Sequence, residues 1–265
     1  MGYRNLTILG KRDGFGCQLN AKLSGIAFCL NRPKYRYIHT PFKSVSHGWR
    51  SEEAVNILND FIGIPDNRAG KRIHCSFNYI GKVFKDPNAF YNTQTLNHIR
   101  EMYWSTPKPD SCEEEIVVHI RRGDVSLKRG GDRRRRFTKN EWYNLTIPKL
   151  ASLYPDHYKI AIHSEGSIED FLSITNMWPE DILQRTTWKL AKSYSLEDDP
   201  EVRNQKYSLP VAFHEMVTAK VLLCSKSALP YTAGLYSEGD VYHLSSGTVG
   251  QSKRLTQWKN ARDLC

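Results

Sequence analysis

The sequence lacks the signals that mark membrane and secreted proteins. No stretch approaches the ~18 consecutive apolar residues that a membrane span needs, and the best early run, 23–30, is much shorter. The N-terminus also lacks the order of charged, apolar and small residues that is typical of a signal peptide. We therefore expect no membrane span and a cytoplasmic protein.

Closely spaced cysteines are also missing. The six cysteines are scattered along the chain and include no Cys-x-x-Cys pair. In a chain without a signal peptide, this distribution favours free thiols in a reducing compartment.

Common catalytic and metal-binding motifs are absent as well. The sequence contains no His-Glu-x-x-His, Gly-x-Ser-x-Gly or Gly-x-x-x-x-Gly-Lys-Ser/Thr motif. These are the signatures of zinc proteases, α/β-hydrolases and P-loop proteins. The nine histidines do not cluster at metal-ligand spacing, so we expect no metal site.

What is present is a globular composition with an uneven positive charge. The 265 residues are 40% hydrophobic and 25% charged, the mix of a folded protein. The net charge is +10, and half of it lies in 128–136, with six basic residues and one acid. Such charge favours an anionic partner: nucleic acid, an acidic membrane or a phosphorylated small molecule. Because Phe137 is the only nearby aromatic residue, a mobile basic loop beside a phosphate site is favoured over nucleic acid.

Predicted strands and helices alternate along the chain. The predicted strands are 3–9, 35–39, 116–120, 159–163, 181–187, 221–224 and 241–244. The predicted helices are the segment after Gly16, then 51–62, 92–104, 138–153 with a kink or break at Pro148, 167–177, 211–219 and 228–236, with strand and loop over 70–84. Alternation of this kind predicts an α/β fold with parallel sheets. The proline- and acid-rich stretch 105–115 is typical of a linker, so we predict two small doubly wound domains, 1–110 and 111–265.

The strongest candidate site follows the apolar strand 116–120. His119 ends that strand, and Arg121 and Arg122 come directly after it. A guanidinium group forms bidentate hydrogen bonds with phosphate oxygens and keeps its charge at any working pH. Gly123 allows close backbone approach, and Asp124 is placed to orient an arginine or accept a proton. The alternative is a solvated loop with a surface ion pair.

A glycine turn before the first helix is the second candidate. Gly14, Phe15 and Gly16 stand where a helix N-terminus offers N–H groups to an anion. The third glycine of a dinucleotide fingerprint is missing at Leu19, so a tight turn without a ligand is the alternative.

Two other strand ends carry polar groups. Ser225, Lys226 and Ser227 follow the strand 221–224, where hydroxyl and N–H groups suit a diphosphate; the alternative is a serine that caps the next helix. Ser164 and Glu165 follow the strand 159–163. Glu165 is a candidate partner for a ribose or sugar hydroxyl, or else a solvated loop acid.

Three motifs resemble one known family in the order that the family has them. The stretch 117–124 (VVHIRRGD) resembles the H-x-R-R-G-D motif of the α1,2-, α1,6- and O-fucosyltransferase superfamily. The stretch 216–235 is similar to the family's later motif, in which a helix methionine precedes a strand and a serine-rich turn. The turn 14–18 (GFGCQ) resembles its N-terminal G-x-G-x-Q loop.

This resemblance implies a GT-B glycosyltransferase: two Rossmann-like domains with a central cleft between them. It implies transfer of a sugar from a nucleotide-sugar donor, with GDP-fucose the best guess, to a glycan hydroxyl, without a metal. Arg121 would take the role of the family's essential arginine on the donor diphosphate, and Arg122 would support the loop or the phosphates. His119 would lie near the base or ribose. Ser225 and Ser227 would fall on the phosphate-binding turn, and Gly14 and Gly16 would approach from the other domain.

One position departs from the family pattern. Related enzymes often carry an aspartate four residues before the methionine, where it can read guanine, but Ala212 stands there. His214 and Glu215 are the neighbouring substitutes, and another donor such as a UDP-sugar stays open. For a general base the candidates are Asp124 and Glu165, followed by Asp13. The rival classes are a basic nucleic-acid-binding protein and a non-catalytic glycan- or nucleotide-binding protein.

Overall fold

The computed structural model describes residues 3–9, 13–46, 51–67, 73–74, 77–110, 114–126, 131–191, 209–244 and 253–265. Its strands are β1 (Arg4–Thr7), β2 (Tyr35–Tyr37), β3 (Ile73–His74), β4 (Ile116–His119), β5 (Ile160–Glu165), β6 (Thr186–Ala191), β7 (Val221–Cys224), β8 (Asp240–His243) and β9 (Lys259–Asn260). Its α-helices are α1 (Phe15–Leu30), α2 (Glu52–Phe61), α3 (Phe77–Lys85), α4 (Thr93–Trp104), α5 (Gly131–Arg136), α6 (Asn140–Ala151), α7 (Leu172–Thr175), α8 (Glu180–Gln184), α9 (Leu209–Thr218) and α10 (Ala228–Tyr236). Short 3₁₀ turns span Pro87–Ala89, Ile168–Phe171 and Ala261–Leu264.

The strands form two parallel sheets. The small sheet has the order β2-β1-β3, and the large sheet has the order β6-β5-β4-β7-β8-β9. In the large sheet the chain builds outward from β4 to β6 and then returns to place β7 on the other side of β4. The carboxyl ends of β4 and β7 therefore form a topological switch point, where parallel sheets bind their ligands.

Strand β4 is buried on both faces. Its successive side chains point alternately into two hydrophobic clusters, one on each face of the sheet. Val117 belongs to the cluster that α1, α9 and α10 share. Ile116 and Val118 belong to a second cluster beneath α6. Because successive strand residues point to opposite faces, His119 is expected on the face of Val117.

Helix α1 packs closely on α10. A Cβ atom on Gly16 would lie 2.5 Å from the backbone nitrogen of Leu229, so only glycine permits this approach. Thr232 of α10 donates a hydrogen bond to the carbonyl of Gly16, at 3.2 Å. One hydrophobic cluster joins residues from both sides of the predicted boundary at 110. That boundary stays a prediction.

Side chains cap several helices where the sequence predicts a start. Ser51 accepts a hydrogen bond from the backbone N–H of Ala54 at the start of α2. Asn92 does the same for Thr95 at the start of α4. Each cap satisfies an N–H group that the first helical turn leaves without an intrahelical partner.

Three predicted segments were wrong in part. Residues 77–85 form α3 instead of strand and loop, with Ile80 and Val83 buried at helical spacing. The predicted strand 181–187 is divided, because acids after Pro179 start α8 and the strand begins only at Thr186. The predicted basic loop is helical over 131–136; arginine is a good helix former, and 128–130 lie outside the described residues. Pro148 lies inside α6 without ending it.

The thiol prediction is confirmed where the cysteines are described. Cys17, Cys224 and Cys265 carry free thiols, and Cys29 forms no disulfide with another described residue. Cys75 and Cys112 lie outside the described residues. In the part of the chain that the structure describes, no helix combines the length and the hydropathy needed to cross a membrane.

Candidate functional site

A cavity lies at the carboxyl ends of β4, β5, β6 and β7, and the start of α1 forms its opposite wall. From the N-terminal segment it is lined by Asp13, Gly14, Phe15, Gly16, Cys17 and Ser46. From the large-sheet segment it is lined by His119, Ile120, Arg121, Asp124, Arg136, His163, Ser164, Glu165, Lys189, Ala191, Leu209, Ala212, Met216, Lys226, Ser227, Ala228 and Leu229. Two parallel α/β units that share a cavity are the arrangement that the predicted GT-B architecture requires. The predicted fold class is therefore confirmed.

Two histidines and a lysine form a row near the carboxyl ends of β4, β5 and β6 in the large sheet. His119 of β4 is in register with His163 of β5, and His163 is in register with Lys189 of β6. All three line the cavity. Residues in register on parallel strands point to the same face, so the strand pairing itself assembles this wall.

His119 joins the two strands of the switch point. Its Nδ1 atom lies 2.7 Å from the hydroxyl of Ser225, which follows β7. Burial, followed by the charges of Arg121 and His163, lowers the pKa of His119 to about 3. The imidazole is therefore neutral near pH 7, where it serves as a hydrogen-bonding group instead of a cation.

Arg121 carries fixed positive charge into the cavity. Its Nη2 atom donates to Oδ1 of Asp124 at 2.5 Å, and both side chains are largely shielded from solvent. A charge-assisted hydrogen bond of this kind fixes the orientation of a guanidinium group. Gly123 between them has φ of +73°, a left-handed conformation that favours glycine.

Arg122 is placed elsewhere. Its guanidinium group donates to Oδ1 of Asn140 and lies 4.3 Å from the ring centroid of Phe137. Tyr143 and Phe171 also approach it. Among the described residues that line the cavity, Arg122 does not appear. Its position suits support of the loop, one of the two roles that the resemblance implied.

The glycine turn closes the cavity from the N-terminal side. Gly14 is the N-cap of α1, and its N–H donates to Oδ1 of Asp13 at 2.8 Å. Gln18 donates to the carbonyl of Asp13 at 2.8 Å, which holds the turn from the helix. Gly16 lines the cavity and also allows α1 to approach α10, a packing role that the sequence did not indicate.

The turn after β7 contributes unequally. Lys226 and Ser227 line the cavity, whereas Ser225 is not among its described lining residues and is bonded to His119. Ser227 accepts a hydrogen bond from the N–H of Leu229 and caps α10. Ser227 therefore caps α10, as one of the two interpretations predicted. Because it also lines the cavity, binding of the nucleotide-sugar donor by Ser227 stays a prediction.

The end of β5 places Ser164 and Glu165 on the cavity wall. The hydroxyl of Ser164 donates to the carbonyl of Ile120 at 2.9 Å. This hydrogen bond joins β5 to the segment that follows β4 and carries Arg121 and Arg122. Glu165 lines the same cavity as Asp13 and Asp124, so all three candidate bases share one site.

Sequence reasoning missed a buried ionic network behind this wall. Glu215 of α9 accepts from Lys189 Nζ at 3.0 Å and lies 2.6 Å from His163 Nε2. Lys189 also lies 3.1 Å from a carboxylate oxygen of Glu114. The four residues come from separate segments of the chain, so no local spacing could have indicated the network. The register of β5 and β6, which places His163 beside Lys189, is the signal that could have indicated it.

The substitutes considered for a guanine-reading acid are engaged elsewhere. His214 is hydrogen-bonded through Nδ1 to the hydroxyl of Tyr103, at 2.8 Å, and Glu215 belongs to the ionic network. Neither is among the described lining residues, whereas Ala212 is. The wall at position 212 therefore offers a methyl group instead of an acid.

No protein-family model matches this chain, and no curated protein matches it either. Among solved structures it is similar to NodZ α-1,6-fucosyltransferase of Bradyrhizobium soaked with GDP-fucose, at 12% identity and a TM-score of 0.46, over 97% of this chain and 99% of that chain. It is also similar to E. coli heptosyltransferase WaaC with ADP, at 11% identity and a TM-score of 0.43, over 97% of this chain and 92% of that chain. A family 9 glycosyl transferase from Veillonella parvula follows at 11% identity and a TM-score of 0.36, over 96% of this chain and 86% of that chain. Likenesses of this size assign neither a family nor an activity.

Proposed function

We propose that this protein is a glycosyltransferase that moves a sugar from a nucleoside diphosphate donor to a glycan hydroxyl, with GDP-fucose as the first candidate donor. The observation that carries the proposal is the position of Arg121. It lies in the cavity at the switch point of a parallel sheet, held by Asp124 and opposite a glycine turn. Ligands of such sheets bind at this place, and a guanidinium group there suits a diphosphate.

Sugar transfer is favoured by positive charge beside the phosphate that leaves the sugar. The bond between the anomeric carbon and the phosphate oxygen breaks, and its electron pair stays on the departing diphosphate. The acceptor oxygen bonds to the anomeric carbon and loses its proton. A preorganised cation stabilises the departing charge more than it stabilises the intact donor, which accelerates transfer. Arg121 supplies such a cation, and in this proposal it takes the place of a divalent metal.

The acceptor proton has three candidate destinations. Asp13, Asp124 and Glu165 all line the cavity. Asp124 is already bonded to Arg121, so its principal role in this proposal is to orient that arginine. Glu165 and Asp13 are then the better candidates for a general base, because a base must reach the acceptor hydroxyl directly.

The proposal leaves two candidates for the nucleobase of the sugar donor. Ala212 gives the wall no acid that would accept the N–H groups of guanine, which favours a different nucleotide sugar, such as a UDP-sugar, as the second candidate. The nucleoside would lie toward Ala212 and Lys189, and its phosphates toward Arg121. The cytoplasmic location remains a prediction from the sequence.

A thermal-shift panel tests the proposal. GDP, UDP and ADP and their sugars are each added to the protein with and without EDTA. A ligand at 100 times its Kd raises the free energy of unfolding by about 2.7 kcal/mol, a readily measured shift. We expect one diphosphate series to stabilise the protein, with or without EDTA, and its sugar to be transferred to a glycan. Stabilisation without transfer would favour a non-catalytic binding protein. Binding only to nucleic acid, with a steep salt dependence, would overturn the proposal.

A further inference from the structure

The cavity holds a second arginine that no motif of the sequence singled out. Arg136, the last residue of α5, lines the cavity together with Arg121. The run to which it belongs extends over 128–136, but its neighbours Arg134 and Arg135 are exposed. Within this helix, Arg136 therefore differs from the two preceding arginines in its surroundings.

Contacts on both sides of Arg136 hold it in place. On one side, the carbonyl of Arg135 accepts a hydrogen bond from Lys226 Nζ, at 3.4 Å, which ties α5 to the turn after β7. On the other side, the ring of Phe137 lies against the guanidinium group of Arg122. The residues on either side of Arg136 therefore contact Lys226, which lines the cavity, and Arg122, which follows Arg121 in the chain.

Arg136 and Arg121 both act electrostatically on Cys17, which lines the same cavity. Burial, followed by Asp13, raises the pKa of the Cys17 thiol to about 11, and the charges of Arg136 and Arg121 both act in the opposite direction. Cys17 belongs to the first turn of α1, next to the glycine turn. Both guanidinium groups are therefore close enough to the start of α1 to act on one buried group.

One arginine does not balance a diphosphate. Arg121 is paired with Asp124 at 2.5 Å, and this carboxylate offsets part of the positive charge that Arg121 presents to the cavity. A donor diphosphate carries more than one negative charge and gains another as the sugar leaves. Because burial of unbalanced charge is costly, the site needs further cations on its wall.

We propose that Arg136 is a further cation of the donor diphosphate site, in addition to Arg121 and Lys226, and binds the phosphate next to the sugar. This inference rests on the proposed function. Arg136 is assigned to the phosphate next to the sugar because it lines the same cavity as Arg121, the residue proposed to stabilise the departing diphosphate, and because both guanidinium groups act on Cys17. Arg136 would then stabilise the charge that grows on this phosphate during transfer.

Binding of a nucleoside diphosphate and of its monophosphate tests the assignment. The probe is the diphosphate among GDP, UDP and ADP that stabilises the wild-type protein most, compared by calorimetry with the matching monophosphate. We expect Arg136→Gln to weaken diphosphate binding by about tenfold or more and monophosphate binding by no more than about twofold. Arg134→Gln is the matched control, because it removes the same charge from an exposed position of the same helix; we expect both affinities to stay within about twofold of wild type.

The outcomes separate the inference from the function. If Arg121→Gln weakens diphosphate binding and Arg136→Gln behaves like Arg134→Gln, the proposed function stands and the role of Arg136 is overturned. Equal losses for diphosphate and monophosphate would also overturn it. If the wild-type protein binds none of the three diphosphates, the proposed function fails first. Should Arg136→Gln not fold, Arg136→Lys replaces it: a diphosphate affinity about threefold or more below wild type supports the assignment, and a wild-type affinity overturns it.

Discussion

The guanidinium groups of Arg121 and Arg122 occupy different environments although the residues are adjacent in the chain. Arg121 lines the cavity and donates to Asp124 at 2.5 Å. Arg122 lies 4.3 Å from the ring centroid of Phe137 and donates to Asn140. The same residue type therefore lines the cavity at one position and packs against an aromatic ring at the next, and substitutions at the two positions should have separable effects.

Replacement of Arg121 should remove transfer and leave the fold intact. We expect Arg121→Ala to lower the rate on the order of 10²–10³-fold, because a preorganised charge at the departing phosphate is lost. Arg121→Lys should restore little, because lysine lacks the forked geometry. The rate is measured as sugar transferred from the best donor of the panel. Near-normal turnover of Arg121→Ala would contradict the proposed function.

Replacement of Arg122 should act mainly on stability. Arg122→Met loses the hydrogen bond to Asn140 and the cation–π contact with Phe137, and we expect the free energy of unfolding to fall by about 1–3 kcal/mol. Urea unfolding measures the loss, and calorimetry with the diphosphate measures binding by the folded variant. A folded Arg122→Met protein that binds the diphosphate as weakly as Arg121→Ala would show that Arg122 contacts the ligand.

Asp124 should affect the rate without controlling its pH dependence. Asp124→Asn removes the carboxylate that orients Arg121 but keeps a group of similar size, and we expect kcat/KM to fall about tenfold. The pH–rate profile should keep its shape, because the acceptor proton is proposed to go to another carboxylate. Glu165→Gln is the comparison, and its profile should lose the limb that reports the base. Loss of that limb in Asp124→Asn instead would make Asp124 the base.

Two glycines on helices should respond oppositely to alanine. Gly16→Ala places a Cβ atom 2.5 Å from the backbone of Leu229, whereas a Cβ atom on Gly81 meets nothing within 4 Å. We expect Gly16→Ala to lower the free energy of unfolding by about 1–3 kcal/mol. Gly81→Ala should raise it by about 0.5–1 kcal/mol, because alanine favours the helix. Urea unfolding measures both. A neutral Gly16→Ala would mean that α1 and α10 separate easily.

A buried histidine outside the cavity predicts a loss of stability in acid. Burial, followed by Arg254, lowers the pKa of His243 from 6.5 to about 4, and its ring packs against Tyr231 and Trp258. Below pH 6.5 the unfolded chain binds a proton at this residue that the folded chain does not bind until about pH 4. The stabilisation is complete above pH 6.5 and is lost as the pH falls toward 4, by at most about 3 kcal/mol.

His243→Phe tests this pH dependence. Phenylalanine keeps an aromatic ring between Tyr231 and Trp258 but cannot bind the proton. We expect the free energy of unfolding of the variant to fall less steeply than that of wild type between pH 6.5 and 4, as measured by urea unfolding at several pH values. Equal slopes for the two proteins would place the acid sensitivity elsewhere, with His119 the next candidate because its pKa is also lowered.

Local patterns in the sequence predicted most elements because their causes are local. Ser51 and Asn92 start helices through hydrogen bonds three residues along the chain, so their position in the sequence is sufficient. The residues 116–118 are all apolar, which is the pattern expected of a strand such as β4 that is buried on both faces. The failures over 77–85 and 181–187 have local causes too, since short apolar runs suit either a helix or a strand.

The candidate site was predicted only where its residues follow strands. Parallel strands bring their carboxyl ends to one edge, so His119, Ser164, Glu165 and Lys226 were expected together, and they line one cavity. The sequence could not show that Arg122 and Ser225 are engaged by Phe137 and His119. Nor could it single out Arg136 within its run of arginines.

By itself, the sequence determined the α/β class, the parallel strands and the chemistry available at their ends, because periodicity and turn residues act within a few positions of the chain. The tertiary structure alone decided which groups share the cavity. The order of the large sheet places β7 beside β4, and the contact of Gly16 with Leu229 brings the glycine turn over that edge. These relationships join residues more than 100 positions apart, and they depend on packing, which no local pattern encodes.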